Sequence, residues 1–357
     1  MPDWDFKTIE FYRDAEDGMK RKHRIVELSS KQQKKTNIYA GFLKTAAEST
    51  VANPKFSNYF VKASIGGYAD LPLPVGNIEY GFCQAIHGEE SAVAALRSHY
   101  GRRLLFGDDE LVLGIIAGGP GLLASPCGNC RDIMRDELGE NFEIVSGAKE
   151  GGLAIVTKMG DYLFRDYQCI PLKQATSMFG PLDFGVDLWV TRTIGAGKRL
   201  ENDAYGPSND RKYYALINAR LNGARDYLGA EYYGAHDIMC EYHPIYALRD
   251  AVRQARRAHN PFINYVLVVG EFSDGRPPDV MYKDRQHLLE LNLEQELLLG
   301  EEKDPPVYLA AVNGDKELLG VWKTSVKEWL PVAFSPRNFG DEFIRYLTEY
   351  YKNKRRQ

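Results

Sequence analysis

Hydrophobic positions change their period several times along the chain, and those changes outline its elements. From Thr36 to about Thr50, Ile38, Phe42, Leu43 and Ala46 recur at helical spacing, which predicts an amphipathic helix stopped by Pro54. Phe56 to Ile65 is aromatic and β-branched and predicts a strand, ended by Gly66 and Gly67. A second strand is expected over Val75–Phe82. A helix beginning near His87 carries Ala92, Val93, Ala95 and Leu96 and ends by Gly101. A hydrophobic strand follows from Glu110 to Ala117, and Gly118-Gly119-Pro120-Gly121 breaks it. Pro126 then opens a helix from Cys127 to about Leu138, followed by strands at Phe142–Val145 and Leu153–Lys158. This alternation implies a mixed sheet with helices on its faces. Residues 1–35 are highly charged without a clear apolar stripe. They read as an arm, partly helical, that packs on the body or on a partner subunit.

Length and charge narrow the picture. A chain of 357 residues is long for one typical domain and suits two. The net charge of −4 gives no bulk attraction to phosphate backbones, so no nucleic-acid partner is expected. Five cysteines, at 83, 127, 130, 169 and 240, fit metal binding in a reducing compartment better than a disulfide framework. The start, Met1-Pro2-Asp3-Trp4-Asp5, lacks a basic and then apolar leader, and no run reaches the ~18 apolar residues of a membrane span. A soluble, cytoplasmic protein with no membrane partner is the expectation.

The candidate chemistry lies between His87 and Arg131. His87-Gly88-Glu89 and Pro126-Cys127-Gly128-Asn129-Cys130-Arg131 offer one imidazole and two thiols, a set that suits Zn²⁺ with its fourth tetrahedral position open. Both groups fall at predicted helix N-termini, whose partial positive charge favours thiolates. Glu89, two residues past the histidine, is placed to move protons. Plainer readings stand beside these. Cys83 could close a structural Cys₃His site, a redox pair is conceivable, and Glu89 alone would pass for an N-terminal helix acid. Glu90 reads as the solvated neighbour. Asn77 and Glu79 flank Ile78 on a strand, so both share one face, either solvent or substrate. Tyr59 reads as core packing or pocket lining. Arg131 reads as a donor to a metal-bound thiolate or as a surface ion pair.

These residues resemble the cytidine deaminases, in particular the two-domain, homodimeric type with His as first zinc ligand. The His87-Gly88-Glu89 and Pro126-Cys127-Gly128-Asn129-Cys130 segments match the H-x-E…P-C-x-x-C signature of zinc-dependent nucleobase deaminases. Phe56-Ser57-Asn58-Tyr59 is similar to the family's Tyr-Ser-Asn-Phe-type strand, and Gly76-Asn77-Ile78-Glu79 to its Gly-x-Asn-x-Glu segment without the spacer. Phe179-Gly180-Pro181-Leu182-Asp183 is similar to the segment closing the catalytic domain. Departures are Gly88, where Ala is usual, Lys62, near the nucleoside pocket, and a short link from Asn77 to His87.

The resemblance implies a three-layer α/β/α sandwich with a mixed sheet, duplicated in tandem with a degenerate second copy. The domains would be a charged arm (1–35), a catalytic domain (36–186) and a metal-free domain (187–357). It implies one zinc per chain on His87, Cys127 and Cys130, Glu89 as catalytic acid–base, and Asn77, Glu79 and Tyr59 binding a nucleoside. The activity implied is hydrolytic deamination of cytidine or deoxycytidine by a homodimer. The same chemistry on a modified nucleoside or antibiotic-pathway intermediate is the first alternative. A polynucleotide-editing deaminase and a non-catalytic zinc-stabilised interaction protein follow. In the second half, Phe334-Ser335-Pro336-Arg337-Asn338-Phe339-Gly340 parallels the 179–185 segment. Pro278-Asp279-Val280-Met281-Tyr282-Lys283-Asp284 parallels the 126–132 segment, and Ala247-Leu248-Arg249 parallels Ala95-Leu96-Arg97. In that register Asp279 and Tyr282 replace the two cysteines, so no metal is expected there. Cys169, Cys240, His236 and His243 read as structural, and Lys352-Asn353-Lys354-Arg355-Arg356 as a solvated tail.

Overall fold

The computed structural model describes residues 2–13, 21–55, 59–81, 84–100, 110–117, 123, 125–163, 168–170, 190–196, 198, 213–220, 230–235, 246–258, 262–271, 276–300, 302–331 and 344–349. The chain divides into two units, 1–164 with 331–344 and 165–330 with 345–357. Expectations for Phe56–Asn58, Phe82, Cys83, 118–121, 179–185, His236, Cys240, His243, 334–340 and the 352–356 tail lie outside the described residues.

The first unit begins with β1 (Trp4–Arg13) and β2 (Arg21–Glu27), then the short α1 (Ser30–Gln33) and α2 (Thr36–Glu48). Next come β3 (Val61–Gly67), β4 (Leu73–Gly76), β5 (Ile78–Gly81), β6 (Gln84–Ile86) and α3 (Gly88–Tyr100). β7 (Leu111–Ala117), α4 (Gly128–Leu138), β8 (Glu143–Ala148), β9 (Gly152–Lys158) and α5 (Met159–Tyr162) complete it. Seven strands form a mixed sheet in the order β2-β1-β9-β8-β7-β3-β4, and β5 pairs with β6 apart from it. Pairs β7–β8 and β1–β9 are parallel; the other neighbours are antiparallel.

One face of the sheet carries α2. Its Tyr39, Phe42, Leu43 and Ala46 pack with Val112, Ile116, Val145, Ala154 and Val156, alternate positions of three strands. Gly114 lets α2 approach, because a Cβ there would stand 3.0 Å from Phe42 and from the Ser64 hydroxyl. Helices α3 and α4 pack on each other, with α3 also against β3, β4 and β7. At one end of this core Glu143 is buried with its charge met. It accepts from the hydroxyls of Tyr39 (2.8 Å) and Tyr68 (2.7 Å) and pairs with Lys35 at 3.2 Å.

Three expectations change. The first is the extent of β3, which begins at Val61 and runs through Gly66 and Gly67, where the sequence pattern ends it. Residues 1–35 are partly helical only at α1; most of them are strand, since β1 and β2 extend the sheet, with β1 parallel to β9 from Trp4↔Gly152 to Thr8↔Val156. Trp4 and Phe6 alternate with Asp5 and Lys7 and pack against the α2 core, while the Trp4 indole donates to the Ala148 carbonyl at 3.1 Å. Charge on the outward positions masks that period-two pattern. The strand expected over Val75–Phe82 is divided at Asn77 into β4 and β5, which belong to different sheets.

The second unit contains β10 (Gln168–Ile170), β11 (Tyr213–Arg220), β12 (Ala230–Ala235), α6 (Ala247–Arg257), β13 (Phe262–Glu271), α7 (Tyr282–Leu299), β14 (Pro306–Val312) and β15 (Leu318–Ser325). Its sheet runs β10-β15-β14-β13-β11-β12. From the β12 edge inward the neighbours are antiparallel, antiparallel, parallel and antiparallel, as they are from β4 through β9 in the first sheet. The sixth strand differs, because β10 is antiparallel to β15 whereas β1 is parallel to β9. A helical stretch at 190–196 adds Val190 and Ile194 to a core with Tyr214, Leu216, Leu267, Val269, Tyr308 and Val321. Both units are mixed α/β.

Candidate metal centre

The positions expected to ligate a metal come together at two helix N-termini. His87 immediately precedes α3, and its carbonyl accepts the first helical bond, from Ser91 N–H at 2.9 Å. Cys127 is the N-cap of α4, and its carbonyl accepts from Arg131 N–H at 3.0 Å. Cys130 lies one turn in and is fully buried. The His87 Nδ1 stands 3.2 Å from the Cys127 Sγ and 3.3 Å from the Cys130 Sγ, and the two sulfurs are 3.6 Å apart. That sulfur separation is too long for a disulfide, whose bond is about 2.05 Å. Zinc–sulfur bonds of about 2.3 Å and zinc–nitrogen bonds of about 2.0–2.1 Å at tetrahedral angles give ligand edges of roughly 3.6–3.8 Å. The triangle is therefore close to the size of one face of a zinc tetrahedron. Among the described residues these three form a group able to hold a metal ion.

The three groups of the triangle shift one another's proton affinities. The hydrogen bond from Cys130 and the His87 imidazole hold the Cys127 thiol well below the ordinary thiol range. The same sulfur–sulfur contact, with burial, pushes Cys130 up. The contact to Cys127 lifts His87 to about 9 against the opposing effect of burial. Glu89, only 5% exposed in the first turn of α3, is pushed up by burial and then by Cys127, with His87 opposing. A carboxyl raised in this way suits reversible proton transfer. Burial, and then the Glu89 charge, push the Tyr59 phenol up to about 12.

The surrounding residues take roles that the sequence left open. Glu90 is not merely solvated, since its carboxylate accepts from the His87 N–H at 3.3 Å and caps α3. Arg131 is fully buried, which excludes a surface ion pair. Its guanidinium donates to the carbonyls of Pro126 (2.9 Å), Tyr162 (2.9 Å) and Pro331 (2.7 Å) and to the Ser125 hydroxyl (3.2 Å), and it lies 4.9 Å from the Tyr162 ring centre. It therefore fixes the turn that presents both cysteines. Lys62 donates to the Ala47 carbonyl at 3.0 Å, in the last turn of α2. Asn77 is buried and holds backbone: its Oδ1 accepts from Val61 N–H at 3.0 Å, and its Nδ2 donates to the Tyr59 carbonyl at 2.7 Å. Glu79 is half-buried on β5, with its N–H donating to the Asn53 carbonyl at 3.2 Å.

Gly88 has a steric reason. A Cβ there would come within 2.9 Å of the Val61 Cγ1 and 3.0 Å of the Val61 carbonyl oxygen. No local sequence signal announces that contact.

No family model matches the chain, and no curated protein matches it. Among solved structures it is similar to the cytidine deaminase from Burkholderia pseudomallei, at 23% identity over 40% of this chain and 98% of that one, TM-score 0.28. The Mycobacterium leprae cytidine deaminase is 22% identical over 36% of this chain and 98% of that one, TM-score 0.28. The Mycobacterium tuberculosis cytidine deaminase is 22% identical over 36% and 92%, TM-score 0.27. At these scores the likeness carries no weight of its own, and function has to be argued from the site.

Proposed function

We propose that this protein is a zinc-dependent hydrolytic deaminase of cytidine, deoxycytidine or a closely related aminopyrimidine nucleoside. The observation that carries the reading is the His87–Cys127–Cys130 triangle, with ligand atoms 3.2–3.6 Å apart and the buried Glu89 beside it. A closed structural site needs four protein ligands and has no use for a buried carboxyl raised by its surroundings.

A zinc ion held by the three ligands would supply a Lewis acid and a water that ionises near neutrality. His87, Cys127 and Cys130 fix its place through two helix N-termini, whose partial positive charge stabilises the thiolates. Glu89 is the proton carrier. It would accept a proton from the water that attacks C4 of the base and pass it to ring N3, then take the second proton from the C4 hydroxyl and give it to the departing amine as the carbonyl forms. Water and the amidine C–N bond are consumed, and ammonia and the uridine-type carbonyl are formed. Tyr59 stays neutral at physiological pH and would line the base pocket. The Lys62 ammonium is engaged by α2, which leaves a simple nucleoside as the first choice of substrate over a modified one.

Zinc content together with ultraviolet-monitored deamination of cytidine and deoxycytidine tests the reading. One zinc per chain with turnover is the expected outcome. One zinc without turnover on a broad nucleoside panel, or a fourth protein ligand found by X-ray absorption, would overturn it.

A further inference from the structure

We infer that Cys127 and Cys130 form a reversible disulfide in the zinc-free protein, and that this bond is a redox gate on the metal centre. The inference rests on the metal-centre reading above and gives the same two residues a second, oxidised state.

The start of α4 is built for the bond. Cys127 is the N-cap and Cys130 the third helical residue of one helix. The backbone at Cys127 is extended, at φ −70° and ψ 169°. From that conformation an N-cap side chain reaches back over the second and third helical positions. The two sulfurs accordingly stand 3.6 Å apart. A disulfide of ~2.05 Å requires them to close by about 1.5 Å, within reach of small rotations of both side chains. Access differs between the two: Cys127 keeps part of its surface exposed, and Cys130 has none. A small oxidant such as hydrogen peroxide therefore meets Cys127 first, with Cys130 held against it as the resolving thiol.

The steps balance. Peroxide gives one oxygen to the Cys127 sulfur as its O–O bond breaks, leaving a sulfenic acid and one water. The Cys130 sulfur then attacks the Cys127 sulfur and the S–O bond breaks. The departing hydroxyl takes the Cys130 thiol proton and leaves as a second water. Two thiols are oxidised by two electrons, and one peroxide is reduced to two waters. A small thiol reverses the bond by exchange. Zinc and the disulfide exclude each other, because the thiolates are the ligands and the disulfide has none to offer. Sulfur lone pairs engaged by zinc are in turn withheld from peroxide. The gate therefore closes on protein that has lost its metal.

The test treats full-length protein, zinc-loaded or stripped by a chelator, with hydrogen peroxide. Peptide mass maps, free thiols and zinc re-uptake are then read. Stripped protein should lose two thiols to a Cys127–Cys130 bond and refuse zinc until dithiothreitol is added, while zinc-loaded protein keeps both thiols. In stripped Cys130→Ser the bond cannot form, and dimedone should trap a sulfenic acid on Cys127. Urea-unfolded protein supplies the rate for a pair that meets by chance. Pairing in the folded, stripped protein no faster than in urea would overturn the inference. So would a bond to a different cysteine, absence of the Cys127 adduct, or equal oxidation with and without zinc. None of these readouts depends on turnover. A zinc-loaded protein that deaminates no nucleoside ends the deaminase reading and leaves the gate to be judged by its own thiols.

Discussion

In the first unit, the helices α3 and α4 present His87, Cys127 and Cys130 to one point. In the second, α6 and α7 also pack on each other, and the corresponding turns present an ion pair: Arg249 donates to the Asp284 carboxylate at 2.7–2.8 Å. Both units contain a similar device. Arg131 and Arg285 are each buried, each donates Nε to the carbonyl five residues back (Pro126, Val280) at 2.9 Å, and each lies over a tyrosine ring. By that register Met281, the N-cap of α7, stands at the place of Cys127, and Asp284 at the place of Cys130. Tyr246, the N-cap of α6, stands at the place of His87, and Leu248 at the place of Glu89. The sequence repeat places Pro278 at Pro126, two residues from the register of the arginines, and Ala247–Arg249 about two turns further along the helix than the N-caps place them. The loss of both thiolates holds in either register.

The comparison separates scaffold from chemistry. The buried arginine that shapes the turn does not need a metal, so it occurs with the ligands in one unit and without them in the other. Each unit also has a glycine where a helix start meets a strand, but the strands differ, β3 in the first and β12 in the second. In the first unit the helix yields, at Gly88 against Val61. In the second the strand yields, at Gly234, whose Cβ would strike the Ala247 carbonyl. Among the described residues, the second unit presents no group of metal ligands.

The largest effect expected from breaking this comparison is on the ligands. Cys127→Ser with Cys130→Ser should abolish zinc binding, read by elemental analysis, and all turnover with it. A fully active double variant would end the metal-centre reading. Glu89→Gln comes next: zinc stays at one per chain while kcat falls by roughly 10²–10⁴-fold, the usual worth of a general acid–base. A drop in zinc to match the drop in rate would instead make Glu89 a ligand.

In the second unit the outcome should be structural. Asp284→Ala strands Arg249 and should destabilise by about 3–5 kcal/mol in denaturant unfolding, with zinc content unchanged. Loss of zinc in that variant would show that the second unit takes part in metal binding. Gly88→Ala should cost about 1–3 kcal/mol by overpacking against Val61, with part of that recovered in the Val61→Ala background. An unaffected Gly88→Ala protein would mean that the helix start can move freely. The smallest effect is expected from Lys62→Met, about 0.3–1 kcal/mol from the end of α2, with KM for cytidine unchanged. A large rise in KM would return Lys62 to the nucleoside pocket.

The chain's own pattern determined a good deal. Helical spacing at Phe42, Leu43 and Ala46 fixed α2, and the apolar runs fixed β7, β8 and β9, because burial of a regular face is written in residue order. The ligand set was legible for the same local reason: Cys127-x-x-Cys130 spans one helical turn, and Glu89 follows His87 by two. Tertiary structure alone decided the rest. The β1–β9 pairing joins residues 148 apart, and the Trp4 and Phe6 alternation gains meaning only once that sheet edge exists. Asn77 reads as a polar strand residue until Val61 and Tyr59 arrive to take its amide. Arg249 and Asp284 are 35 positions apart on separate helices, each unremarkable alone. Local periodicity sets which faces are apolar, but a buried polar group is defined by the partner that meets it, and that partner is supplied by the fold.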